Sequence, residues 1–283
     1  MFDEVNSLVS TEWLEHNLSL TELRILDASW YLPSQGRDPK SDFFDKHIQG
    51  TKYFDIEKFS DPRNQLPHMV PSVEQFCSEL SKLGVGDEHH VVFYDGLGLF
   101  SAARAWWLFK LFGFRRVSVL DGGLPKWVSE KKPVTSEIEP QTLHHFTPDF
   151  NKRLVCDWTE VKRVMIDSAS QIVDARPQDR FNGLVSEPRP GLKPGHIPGS
   201  INVCYKSLLN IDQTMKSNTE LRTIFESQGL DLNLPIVTSC GSGVTAAILS
   251  LALNIIGVRD VTLYDGSWAE WGMRSDLDVA TSE

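Results

Sequence analysis

The fold of this chain is decided by one segment, Val237-Thr238-Ser239-Cys240-Gly241-Ser242-Gly243-Val244-Thr245-Ala246-Ala247. An apolar run ends at a cysteine, a Gly-Ser-Gly turn follows, and a helix-forming stretch then continues to Gly257. This order predicts a strand, a tight loop and a helix. In open α/β sheets such a loop binds ligands, because free backbone N–H groups and the positive end of the helix meet there. We therefore expect the loop to stabilise the Cys240 thiolate, which makes this residue a candidate nucleophile.

The composition indicates a globular protein of two domains. The chain has 283 residues, and no apolar run approaches the length that spans a membrane. A formal net charge of −10 disfavours nucleic acid and anionic membranes as partners. The four cysteines are scattered without a CxxC pair, which argues against zinc and against a disulfide framework. The acidic N-terminus lacks the features of a secretory signal, so we expect a cytoplasmic protein.

Several features of the first half recur in the second half. At offsets of 144 to 149 residues, the matched pairs are Asp27 with Asp174, His47 with His196, and Trp127 with Trp271. Such a repeat predicts two copies of one α/β domain, each a parallel sheet with helices on both faces. We place the first domain at residues 1–135, a linker at 136–153 and the second domain at 154–283. The matched histidines and tryptophans are interpreted as structural.

The two copies differ at the candidate nucleophile. The residue that matches Cys240 is Asp95, and the loop after it is one residue longer. A carboxylate cannot act as a sulfur nucleophile, so we expect the first domain to be inactive. The remaining cysteines, Cys77, Cys156 and Cys204, are interpreted as packing residues.

Together, several motifs resemble those of the tandem-domain sulfurtransferases of the rhodanese superfamily, and the resemblance extends over essentially the whole chain. They are Cys240-Gly241-Ser242-Gly243-Val244-Thr245, Arg104-Ala105-Trp106-Trp107, Glu187-Pro188-Arg189-Pro190-Gly191, Gly195-His196-Ile197-Pro198-Gly199 and Tyr264-Asp265-Gly266-Ser267-Trp268. Rhodaneses that use thiosulfate carry cations in the two positions after the cysteine. Here these positions are Gly241 and Ser242, which is the pattern of the 3-mercaptopyruvate sulfurtransferases, above all the bacterial ones.

The resemblance implies an enzyme without a metal or an organic cofactor. Cys240 would take the sulfur of 3-mercaptopyruvate as a persulfide and release pyruvate, and a thiol, thioredoxin or cyanide would then accept the sulfur. The backbone of Gly241, Gly243, Val244 and Thr245 would hold the persulfide. We expect a monomer that binds this small-molecule substrate.

A carboxylate substrate favours arginine, whose planar fork binds it in a bidentate manner. In the family, the arginines that match Arg180 and Arg189 bind the substrate; the alternative is a solvated basic loop. A relay of serine, histidine and acid would map to Ser242, His68 and Glu57, although the family has aspartate at the last position and Asp61 lies nearby. The alternative is that His68 only packs and shapes the pocket.

Other functions stay open. The nearest is a thiosulfate:cyanide sulfurtransferase of the same fold, which the uncharged Gly241-Ser242 pair disfavours. A cysteine-dependent phosphatase needs an arginine about where Ala246 stands. A silent binding module would have no need of Cys240 with both arginines.

Overall fold

The computed structural model describes residues 5–138, 140, 142–167 and 170–282. They form two compact units. The first consists of Met1–Pro62, Val70–Asn151 and Asn210–Met215, and the second of Arg63–Met69, Lys152–Leu209 and Lys216–Glu283. Each unit therefore includes one short segment from the other half of the chain. The sequence-based limits at 135 and 154 stay a prediction.

The first unit contains a parallel sheet and a small antiparallel pair. Its strands are Leu8–Val9 (β1), Leu23–Asp27 (β2), His47–Ile48 (β3), Thr51–Tyr53 (β4), His90–Tyr94 (β5), Val117–Leu120 (β6) and Val134–Thr135 (β7). Its helices are Thr11–Asn17 (α1), Pro39–Asp45 (α2), Val73–Ser81 (α3), Ala102–Leu111 (α4) and Gly123–Ser129 (α5). Within the described residues, the parallel sheet has the order β1-β6-β5-β2-β4, and β3 pairs antiparallel with β7.

The central strand of this sheet is buried throughout, and four of its five residues are Val, Phe or Tyr. All five residues of β5 are buried, with Val92 opposite Ile25 of β2 and Ser118 of β6. A continuous apolar strand is typical of a parallel sheet that is covered on both faces. The core on one face includes Leu14 and Trp127 from the flanking helices.

The second unit repeats this arrangement. Its strands are Val155–Cys156 (β8), Gln171–Asp174 (β9), Ile201–Asn202 (β10), Ile236–Ser239 (β11) and Val261–Tyr264 (β12). Its helices are Trp158–Asp167 (α6), Gln178–Phe181 (α7), Asn218–Ser227 (α8), Ala246–Ile255 (α9) and Ser267–Trp271 (α10). Short 3₁₀ turns occupy Pro33–Gln35 in the first unit, and Lys152–Leu154 and Tyr205–Leu208 in the second.

The strand order of the second sheet is β10-β9-β11-β12-β8, again with all pairs parallel. Read in the opposite direction, it matches the first sheet strand for strand. The prediction of two α/β domains built on parallel sheets is therefore confirmed. None of the described helices has the length and apolar character that crossing a membrane requires.

The matched histidines have structural roles, as predicted. His47 donates from Nδ1 to the carbonyl oxygen of Phe43 (2.7 Å), and its ring stacks on the phenyl ring of Phe43. His196 makes the same pair of contacts with Phe181, with a hydrogen bond of 2.8 Å. Each histidine thus ties the turn that follows it to the residue on which it stacks.

Candidate active site

The predicted strand, loop and helix are present around Cys240. The residue directly follows β11, the central strand of the second sheet, and α9 begins six residues later at Ala246. Ligands of open α/β sheets bind at this carboxyl edge. Cys240 is buried, with 1% of its surface exposed. Gly243 has φ +77°, a left-handed conformation that glycine adopts readily, and it curls the loop between strand and helix.

The first turn of α10 orients the peptide groups of this loop. The Trp268 amide donates to the carbonyl oxygen of Cys240, and the Ala269 amide donates to that of Gly241, both at 2.9 Å. In a trans peptide the N–H points opposite to the C=O. The amides of Gly241 and Ser242 therefore point away from α10.

The corresponding loop of the first unit encloses an acidic side chain. The carboxyl group of Asp95 accepts hydrogen bonds from the amides of Leu97 (2.9 Å), Phe100 (2.7 Å) and Ala102 (2.9 Å). Burial raises the pKa of Asp95, and these amide hydrogen bonds act in the opposite direction. This loop type can therefore surround the side chain at the strand end with backbone donors.

Arg180 lies next to the Cys240 loop. Its Nη2 atom is 3.2 Å from the position that a Cβ atom on Gly241 would occupy. A side chain at position 241 would therefore press on the guanidinium group. The geometry brings a cation to the loop from α7, although the loop itself carries none.

The comparisons with known proteins agree with this architecture. The family model of the rhodanese-like domain matches residues 10–130 and 157–274. The chain belongs to the rhodanese family.

Relatives within the rhodanese family match nearly the whole chain. The 3-mercaptopyruvate sulfurtransferase of Escherichia coli K12 is 42% identical over 272 residues, which covers 96% of this chain and 96% of the relative. The thiosulfate sulfurtransferase of Rattus norvegicus is 39% identical over 284 residues, covering 98% and 95%. The crystal structure of SseA, a 3-mercaptopyruvate sulfotransferase from Escherichia coli, superimposes with a TM-score of 0.86 at 38% identity and covers 94% of this chain and 100% of that chain.

One feature of this rhodanese-family site that sequence reasoning missed is the role of Glu187. Its carboxylate accepts hydrogen bonds from Arg176 (2.9 Å) and from Arg180 (2.5 Å to Nη2 and 3.3 Å to Nε). The Glu187 side chain is 2% exposed, so this charge depends on its two partners. Glu187 therefore holds Arg180 at the loop. In the sequence Glu187 lies among Arg176, Arg180, Arg189 and Lys193, and the pattern does not indicate which of these cations it binds.

Arg176 has a structural role. It pairs with Asp174 as well as with Glu187, and its guanidinium stacks on the Trp268 ring at 4.4 Å. Burial lowers the pKa of Arg176 while the two carboxylates raise it, and the net direction is upward.

A second feature that sequence reasoning missed is the contact between Ser267 and Cys240. The Cys240 amide donates to Ser267 Oγ (3.2 Å), and the Ser267 hydroxyl donates to the carbonyl oxygen of Tyr264 (2.9 Å). The sequence motif Asp265-Gly266-Ser267 does not by itself indicate a role for its serine. The signal that could have found it is the repeat, because glycine occupies the matching place in the first half.

The other predicted site residues lie in different parts of the two units. Ser242 is buried and Arg189 is half-buried, the latter between α7 and β10. His68 is buried and has φ +61°, and its segment Arg63–Met69 belongs to the second unit. Glu57 belongs to the first unit, where its exposed carboxylate accepts a hydrogen bond from Trp30 Nε1 (3.1 Å).

The remaining cysteines differ from Cys240 in position. Cys77 lies on α3, Cys156 ends β8 and Cys204 follows β10, and all three are half-buried. Burial raises the pKa of the Cys77 and Cys156 thiols, which disfavours their reactive thiolate forms.

One side-chain cluster of the described residues has the composition of a metal site. It consists of Glu88, His89 and His144 in the first unit. The Gly86 amide donates to His89 Nδ1 (2.8 Å), so neutral His89 carries its proton on Nε2, which faces Glu88 at 3.3 Å. Burial lowers the pKa of His89 to about 4, which keeps the ring neutral. His144 Nδ1 lies 2.6 Å from the same Glu88 oxygen, so both histidine rings contact this carboxylate.

Proposed function

We propose that the protein is a 3-mercaptopyruvate sulfurtransferase that carries sulfur as a persulfide on Cys240. The observation that carries the proposal is the pairing of a cysteine at the carboxyl edge of β11 with Arg180, held beside the next residue by Glu187. The match to the Escherichia coli 3-mercaptopyruvate sulfurtransferase over 96% of both chains supports the same reaction.

The reaction proceeds in two half-reactions. The Cys240 thiolate attacks the sulfur of 3-mercaptopyruvate, so an S–S bond forms while the C–S bond breaks. The electron pair of the C–S bond goes to the carbon, and the resulting enolate takes up a proton to give pyruvate. In the second half-reaction a nucleophile, such as a thiol or cyanide, attacks the outer sulfur and releases the Cys240 thiolate.

Backbone amides would stabilise the persulfide anion. The hydrogen bonds from Trp268 and Ala269 to the loop carbonyls direct the amides of Gly241 and Ser242 to the opposite side. The Asp95 loop, with its three amide donors, supports this role for the related loop. Gly243, Val244 and Thr245 complete the proposed cradle.

Arg180 and Arg189 would bind the carboxylate of the substrate. Arg180 is 22% exposed at its side chain and keeps its orientation through Glu187, so its guanidinium is fixed before substrate arrives. The cation therefore lies beside the loop, where it can hold a carboxylate one side-chain length away from the reacting sulfur.

The relay of Ser242, His68 and Glu57 is proposed as the source of the proton for pyruvate. The repeat supports the position of His68. The matching residue is Gln213, which has φ +65° close to the +61° of His68, and whose side chain lies against Gly98 in the Asp95 loop. By the same geometry, His68 would lie against Gly243 in the Cys240 loop. A histidine there can transfer a proton near neutral pH.

A thiosulfate:cyanide sulfurtransferase is the second candidate. The 39% identity to the rat thiosulfate sulfurtransferase favours it. The dianionic sulfite leaving group would need cations at the loop, and positions 241 and 242 are uncharged. A thiol acceptor such as thioredoxin, a monomeric state and a cytoplasmic location stay predictions from the sequence.

The persulfide itself provides the test. We expect intact-protein mass spectrometry to show the gain of one sulfur atom after 3-mercaptopyruvate is added, and cyanide to remove it as thiocyanate. Cys240→Ser should abolish both signals, because an alcohol cannot carry the sulfur. Changing Cys77, Cys156 and Cys204 to serine provides the matched controls, which should retain most activity. Normal turnover by Cys240→Ser would refute the proposal. A sulfur gain with thiosulfate but not with 3-mercaptopyruvate would favour the second candidate.

A further inference from the structure

Ser267 is a buried serine that contacts the first residue of the catalytic loop, Cys240. The strands β11 and β12 pair from Ile236 to Thr238, and Cys240 lies beyond this ladder. Its N–H group is bound by a side chain, since Ser267 Oγ accepts it at 3.2 Å. The same hydroxyl donates to the carbonyl oxygen of Tyr264, the last residue of β12 (2.9 Å). Ser267 therefore bridges the ends of the two strands.

The backbone of Ser267 is in an unfavourable conformation. Its φ is +49°, in the left-handed region that residues other than glycine rarely adopt, and the residue is fully buried. The repeat shows what the fold itself requires here. In the first unit the matching residue is Gly123, with φ +53°. A Cβ on Gly123 would lie 2.5 Å from the Gly98 oxygen and 2.6 Å from the Asp95 oxygen.

The two units have different residues at the same position of this turn. The inactive unit uses glycine, which adopts this conformation without strain. The unit that contains Cys240 has a serine at this position, and its backbone is strained there. Strain that persists in a buried position beside a reactive group points to a function for the side chain that causes it.

We infer that Ser267 is a positioning residue for Cys240, a role that rests on the proposed persulfide chemistry. Ser267 fixes the direction of the Cys240 N–H group. The Trp268 amide fixes the direction of the Cys240 carbonyl group, to whose oxygen it donates at 2.9 Å. Together they determine both backbone dihedrals of Cys240 and hence the direction of its Cα–Cβ bond. The sulfur is thereby aimed at the amides of the loop. Without the hydroxyl, the buried Cys240 N–H loses this acceptor and the peptide turns to find another.

Two substitutions separate this role from a structural one. Ser267→Ala removes the hydroxyl and keeps the strained Cβ, whereas Ser267→Gly removes both. We expect kcat for 3-mercaptopyruvate to fall about tenfold or more in both variants, with KM within about threefold of wild type. The rate at which iodoacetamide alkylates Cys240 should fall in both as well. The melting temperature should be higher for Ser267→Gly than for Ser267→Ala, because the strain is relieved.

The matched control is Ser250→Ala. Ser250 is a buried serine of α9 whose hydroxyl contacts Thr238 Oγ1 (2.9 Å) and the Ala246 carbonyl oxygen (3.3 Å). Its loss should lower stability without changing the alkylation rate. Wild-type kcat and alkylation in either Ser267 variant would overturn the inference, as would activity that follows melting temperature across the three variants. A wild-type enzyme that does not turn over 3-mercaptopyruvate would instead refute the proposed function, and alkylation would still report on Ser267.

Discussion

The replacement of Arg180 by alanine tests the carboxylate site most directly. Arg180 is the cation that the structure places at the Cys240 loop, with Nη2 3.2 Å from a Cβ position on Gly241. Arg180→Ala should chiefly raise KM for 3-mercaptopyruvate, because the interaction it removes is, in the proposed function, made with bound substrate. Arg189→Ala should act in the same direction.

The size of the effect follows from the kind of contact. A hydrogen bond to a charged group contributes about 1.5–3 kcal/mol, which corresponds to a rise in KM of roughly ten- to a hundredfold. The fold should survive, because Glu187 keeps its hydrogen bond of 2.9 Å to Arg176. Arg180→Lys should recover only part of the loss, since an ammonium group cannot bind Glu187 and a carboxylate with a planar fork.

Steady-state kinetics with cyanide as the acceptor would measure these changes. Arg163→Ala provides the matched control, because Arg163 lies on α6 of the same unit and pairs with Glu160 and Asp167 at an exposed position. It removes the same charge and should leave KM unchanged. An unchanged KM in both Arg180→Ala and Arg189→Ala would show that neither arginine binds the substrate carboxylate and that it binds elsewhere.

Two further predictions concern substrate choice and pH. The double substitution Gly241→Arg with Ser242→Lys should shift the ratio of kcat/KM for the two substrates toward thiosulfate, and this shift should be smaller at high salt. It should also weaken turnover of 3-mercaptopyruvate, because the new side chain at position 241 displaces Arg180. An unchanged ratio would show that the loop does not set specificity. Burial, partly opposed by hydrogen bonds from Ser29, raises the pKa of Asp27 to about 7. The folded state therefore holds a proton that the unfolded chain releases near pH 4, and this stabilising contribution is lost as the pH rises through about 7. Urea unfolding should show Asp27→Asn gaining stability relative to wild type between about pH 5 and pH 8, and an equal pH dependence in both proteins would contradict the shift.

The repeat explains why Asp27 differs from its partner in the second half. Asp174 is followed by Arg176, which binds its carboxylate at 2.8 to 3.1 Å. Asp27 is followed by Ser29, whose amide and hydroxyl contact it without supplying a positive charge. Asp174→Asn should therefore destabilise the protein at both pH values, in contrast to Asp27→Asn.

Much of the fold was predictable because it follows from local patterns. The apolar run before Cys240, the glycines after it and the helix-forming stretch each specify a backbone conformation by themselves. The matched pairs His47 with His196 and Trp127 with Trp271 revealed two domains, because a repeated sequence must fold into a repeated topology. The identical strand orders of the two sheets confirm this reasoning.

The sequence alone thus determined the element order, the repeat and the position of the candidate nucleophile at a strand end. The tertiary structure decided which distant side chains reach that position. Glu187 selects Arg180 among several cations of its segment by burying one carboxylate between two arginines. Ser267 reaches the Cys240 amide because parallel pairing of β11 with β12 brings their carboxyl ends together. Hydrogen bonds and ion pairs act over a few ångströms, so the residues that make them are known only once the sheet has set those distances.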